Sequence, residues 1–161
     1  MKKFIPLVLI LLLSACDNTQ SPLEEKPKVK NFNDMAHLPK LMSIPGKAIS
    51  VKWQIDETRF NAGNLIALLE FSADDKSRII KNSQPYDVQT NARLDKEFVD
   101  SWIPETARQG IKLKPSGTAY EMEGVVPVKP DLFTQTELSP YVNGHVFPLS
   151  GGYVLVLLYS M

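Results

Sequence analysis

The clearest pattern along the chain is an alternation that begins near residue 48. Ile49, Val51, Trp53 and Ile55 alternate with Ser50, Lys52 and Gln54, the period-two signature of a strand with one face on a core and one in water. Residues 65–71 are apolar except for Glu70, which predicts a strand nearer the middle of a sheet. Turn chemistry at 61–64 separates these two strands, and the polar stretch 73–76 ends the second. Residues 153–159 are apolar on both faces, as a fully buried central strand must be. Weaker strand patterns occur at 86–90, 111–114 and 118–128, while 76–81 fits either a short strand or a helical turn. One segment has helical spacing. Leu94, Phe98 and Trp102 fall on one side of a helix over 92–102, with Asn91 as its cap and Pro104 as its stop. Arg93 with Glu97 and Lys96 with Asp100 add opposite charges four residues apart. Asn143-Gly144 is the dipeptide of a type I′ hairpin turn, here with short flanks. Together these elements predict an α+β, mainly β domain over 46–161, mostly antiparallel or sandwich-like, with about six strands and one helix.

Ahead of that domain the pattern changes twice. Met1-Lys2-Lys3 precedes an apolar run over 4–13, the charged and hydrophobic regions of a secretory signal. The run contains Pro6 and falls well short of the roughly 20 residues a membrane-spanning helix needs. It ends Leu13-Ser14-Ala15-Cys16. This tetrapeptide resembles the lipobox of bacterial lipoproteins, a resemblance confined to residues 1–16. It implies that the signal 1–15 is cleaved, that the Cys16 thiol carries diacylglycerol, and that the new amino group takes a further chain such as palmitate. Two or three acyl chains suffice for stable anchoring. Asp17 resembles the signal that keeps enterobacterial lipoproteins in the inner membrane, the outer membrane being the alternative. The implied location is the periplasmic face of the cell envelope. From 17 to 45, Pro22, Pro27, Pro39 and Pro45 interrupt a strongly polar stretch without apolar periodicity, so 16–45 is expected to be a lipidated cysteine and flexible tether. Residues 32–42 are more apolar and suit an arm docked on the domain.

Charge and composition narrow the partners. Taking Lys2 and Lys3 from the 18 basic residues leaves 16 against 18 acidic ones, a formal charge of −2 for the processed chain. That balance disfavours nucleic acid and an electrostatic grip on anionic lipid. Cys16 is the only cysteine, so a lipidated Cys16 leaves no disulfide, and stability must come from apolar burial. Candidate chemistry is sparse. His145 could join Ser139 or Ser150 in a nucleophilic triad, yet no nucleophile elbow accompanies it. Met35, His37 and Met42 are soft-metal ligand types without the repetition such segments show. Glu121 and Glu123 share a strand face, the placement of a cation or acid–base pair but also of an ordinary solvated face. No cofactor pattern is present. Trp102 reads as the anchor that packs its helix on the sheet. The sequence thus favours a non-catalytic binding or scaffolding domain with an envelope protein as partner. The alternatives are an inhibitor or immunity-type protein, which needs exposed aromatics such as Phe133, Tyr141 or Phe147 on a loop, and a small cell-wall or glycan hydrolase. Removing the last eight residues, 154–161, deletes most of the predicted central strand. The truncated chain is expected to lose its cooperative thermal transition by circular dichroism.

Overall fold

A computed structural model describes residues 29–56, 64–87, 90–136 and 139–160. The chain runs β1 (Val29–Phe32), α1 (Leu38–Leu41), β2 (Ala48–Asp56), β3 (Asn64–Phe71), α2 (Ala73–Asn82), β4 (Ala92–Asp95) and α3 (Lys96–Trp102). It continues with α4 (Glu105–Arg108), β5 (Lys112–Ser116), β6 (Ala119–Glu123), β7 (Asn143–Pro148) and β8 (Tyr153–Tyr159). A five-stranded sheet has the order β1-β2-β3-β8-β7, and a three-stranded sheet has the order β4-β6-β5. Every named pair is antiparallel. The fold is therefore α+β and mainly β, as the alternation implies. Leu13, Ser14, Ala15, Cys16, Asp17 and the turn expected at 61–63 lie outside the described residues.

The large sheet is covered on both faces, which is why β3 and β8 carry apolar residues on both faces. On one side Val51, Trp53, Leu69, Val154 and Val156 pack with Leu38, Met42, Ile79 and Phe133, brought by α1, α2 and the 128–141 loop. On the other, Leu68, Phe147 and Leu155 pack with Leu94, Val99, Ile103 and Met122, brought by the small sheet and the α3–α4 segment. Among the described residues no helix is long and apolar enough to cross a membrane.

The folded part begins earlier than the expected boundary at 46. β1 pairs with β2 from Val29 opposite Asp56 to Phe32 opposite Trp53. The Phe32 ring stacks on Trp53 with centroids 4.1 Å apart, and Trp53 Nε1 donates to Asp34 O at 2.9 Å. Leu38 and Met42 are completely buried. The apolar arm expected over 32–42 thus docks, and the strand pairing starts earlier still, at Val29.

Three local readings differ from the sequence pattern. The helix expected over 92–102 begins at Lys96, because Ala92 and Leu94 belong to a strand opposite Met122 and Tyr120. Asp95 caps it, accepting from Glu97 N at 2.8 Å, in place of Asn91. Residues 73–82 form a further helix, α2. Ser72 Oγ accepts from Asp75 N at 3.1 Å, Asp74 and Asp75 occupy its first turn, and Ile79 anchors it. Asn143-Gly144 opens a strand instead of making a turn. A Cβ at Gly144 would collide with Leu157 O, so the glycine permits close approach to β8. The β7–β8 turn falls at Gly151-Gly152, where Gly151 has φ of 65°. Leu38→Ala should cost about 2–5 kcal/mol in a denaturant titration if the arm belongs to the core; a change under about 0.5 kcal/mol would return it to the tether.

Candidate functional site

The second cover is narrower than the sheet it protects, and this creates a cleft. No β2 residue joins the cluster beneath the small sheet and α3–α4. On that face β2 presents Ser50 and Lys52, opposite Glu70 and Leu68 of β3, which is where the sequence alternation placed polar residues. The α3–α4 corner stands beside them and encloses roughly 330 Å³. Leu68 and Ile103, both buried, supply apolar lining. Trp102 and Tyr153 contribute half-buried rings, with Lys52 and Glu105 among the polar lining groups.

Arg108 holds the corner in shape. Its Nε donates to Ile103 O at 2.7 Å, and one terminal nitrogen donates to Val99 O at 2.7 Å and Asp100 O at 3.2 Å. The other terminal nitrogen lies 3.6 Å from Asp100 Oδ1. These are carbonyls at the end of α3, which Pro104 prevents from continuing. The cation is therefore committed to the wall. On the sheet side Ser50 Oγ donates to Glu70 Oε2 at 2.7 Å. Burial pushes the Tyr153 phenol up, and the Glu70 carboxylate beside it adds to that shift. The result is a preformed cleft with apolar and aromatic lining and a polar rim. Trp102 only partly fills the anchoring role expected of it. Phe98 and Val99 carry the burial, and the Trp102 ring packs 5.0 Å from Phe98 while lining the cleft. Sequence reasoning missed Arg108 and the Ser50–Glu70 pair. An arginine four residues beyond a helix-stopping proline was the only clue.

The other candidates are placed elsewhere. His145 packs among the rings of Tyr86, Phe147 and Tyr159, with centroids 4.8, 6.1 and 6.1 Å away. Ser139 Oγ accepts from Tyr141 N at 3.0 Å, and Ser150 Oγ donates to Gln109 O, so both serines serve the backbone. Glu123 accepts from Lys114 Nζ at 2.6 Å, and Glu121 stands opposite Arg93 and Lys114, so the β6 carboxylates are matched by cations. Met42 is in the core, whereas Met35 and His37 are exposed. Among the described residues no three potential metal ligands of the His, Cys, Asp or Glu type come together. Phe133, Tyr141 and Phe147 are 0%, 4% and 1% exposed. They are core residues, which corrects the expectation that a loop would display them to a target enzyme.

Burial lowers the His145 pKa. The unfolded imidazole, near 6.5, therefore takes a proton that the folded one resists, and stability falls as pH drops below about 6.5. Melting at pH 7.5 and 5.5 should show a larger loss in the native chain than in His145→Gln; equal losses would remove His145 as the cause. No family model, curated protein or solved structure matches this chain.

Proposed function

We propose that this chain is a lipid-anchored, periplasm-facing envelope lipoprotein whose domain binds a partner through the β2/α3–α4 cleft without catalysing a reaction. Cys16 carries the acyl chains in this reading, and Asp17 favours the inner membrane. The observation that carries it is where the cleft lies relative to the point at which the chain enters the fold. β1 enters opposite Asp56, at one end of β2, while Ser50 and Tyr153 line the cleft toward the other end. Five residues of strand lie between Ser50 and Asp56, a separation of about 20 Å.

Twelve residues separate Cys16 from Val29. Fully extended, that stretch reaches at most about 47 Å. An acylated Cys16 would thus hold the domain by the Asp56 end of the sheet and leave the cleft, toward the other end, unobstructed by the point of attachment. The cleft walls are already tied by Arg108 and by the Ser50–Glu70 bond. They suit a preorganised recognition surface.

Two measurements test this reading. Labelled palmitate should enter the native chain and not Cys16→Ala; equal labelling would end the lipoprotein assignment. Crosslinking in intact cells should recover a partner with the native chain and at least about fivefold less with Trp102→Ala, the loss of one aromatic contact of about 1 kcal/mol or more. Unchanged recovery would remove the cleft from the binding surface.

A further inference from the structure

The two edges of the large sheet are treated differently. The outer edge of β7 is bridged at its middle, where Val128 N donates to Val146 O at 2.8 Å and Val146 N to Val128 O at 3.0 Å. The outer edge of β2 is only half covered. β1 pairs with Trp53, Gln54, Ile55 and Asp56, and then the Trp53–Asp34 hydrogen bond accompanies the chain's departure towards α1. From Ala48 to Lys52 the edge away from β3 has no strand partner among the described residues. An unpaired edge is a template for another strand. Ile49 on this stretch is 66% exposed, and Lys52 at its end is the one charge on it.

This free edge borders the cleft. Ser50 and Lys52 are both edge residues and cleft-lining residues. A strand added there would send alternate side chains towards their face, beside Leu68, Trp102 and Ile103. The chain already seats one strand on this edge, since β1 occupies its other half, and an incoming segment would continue the same line. A register shift between Ala48 and Ser50 shortens the usable ladder. Main-chain bonds alone would then be few, and a side chain in the cleft would have to supply much of the affinity.

We propose that the free half of β2 accepts an extended segment of a partner protein as an added strand, with an apolar side chain of that segment seated in the cleft. This mode combines main-chain pairing with a pocket for alternate side chains. It rests on the cleft being the binding surface and specifies what kind of ligand the cleft takes.

The test uses the full chain in detergent micelles against an immobilised array of random-sequence decapeptides. Bound peptides are then resynthesised with single N-methyl groups at each position. Binders should carry an apolar residue at a fixed position, and Trp102→Ala should weaken them about tenfold or more. N-methylation should weaken binding about tenfold at alternate positions and little between them, because only alternate amides face β2. Absence of Trp102-dependent peptides, or tolerance of N-methylation throughout, would overturn strand addition. A glycan array run in parallel separates the two levels of the proposal. Trp102-dependent glycan binding without peptide binding would leave the cleft as the site and refute the strand. Peptide binding indifferent to Trp102→Ala would refute the cleft itself. The N-methyl scan needs no protein variant, so it decides the question even where Trp102→Ala destabilises the fold.

Discussion

Everything in this molecule depends on burying β3 and β8 on both faces. Leu68 and Leu155 face one cover, while Leu69, Val154 and Val156 face the other, and all five are at most 4% exposed. Such strands are stable only when two separate layers close over them. The arm, α1, α2 and the 128–141 loop form one layer; the small sheet with α3 and α4 forms the other. Neither layer suffices alone. The arm is therefore structural, and Phe32, Leu38 and Met42 are what it contributes.

The cleft follows from a mismatch in width. The small sheet and its helices cover β3, β8 and β7 but stop short of β2. Ser50 and Lys52 can remain polar because that part of the face is not core. Arg108 then stabilises the rim by satisfying the carbonyls at the end of α3, so the opening is held by hydrogen bonds as well as packing. A charge-assisted bond to a backbone carbonyl gives the wall a defined shape. The β1–β2 pairing places the chain's entry at one end of the sheet, with the cleft toward the other.

Much of the large sheet was legible in the sequence because its signals are periodic. β2 alternates cleanly, and β3 and β8 are apolar on both faces, so existence, type and centrality could be read directly. The errors arose where two physical readings share the same residues. Leu94, Phe98 and Trp102 satisfy helical spacing, but Leu94 also alternates with exposed Arg93 and Asp95 and is taken by β6. α2 has too little apolar surface for a periodic signal, and its evidence lay in the Ser72 cap and the two aspartates after it. Gly144 is needed for close approach to Leu157, a reason invisible without the partner strand. The cleft depends on Arg108 meeting carbonyls five to nine residues back, which no local pattern announces. The lipobox has the reverse character. As proposed, it would be a processing signal carried by residue identity, which is read without any fold.

Amide hydrogen exchange on the full chain would test the central claim most directly. Doubly covered strands should open only with the whole domain, whereas a half-free edge should exchange locally. The account predicts that amides of β3 and β8 exchange at the global unfolding rate. Those of Ala48–Lys52 that point away from β3 should exchange orders of magnitude faster, while amides of β2 bonded to β1 are intermediate. Equal protection along both halves of the β2 edge would contradict the free edge, and fast exchange in β8 would contradict the two-sided burial on which the rest depends.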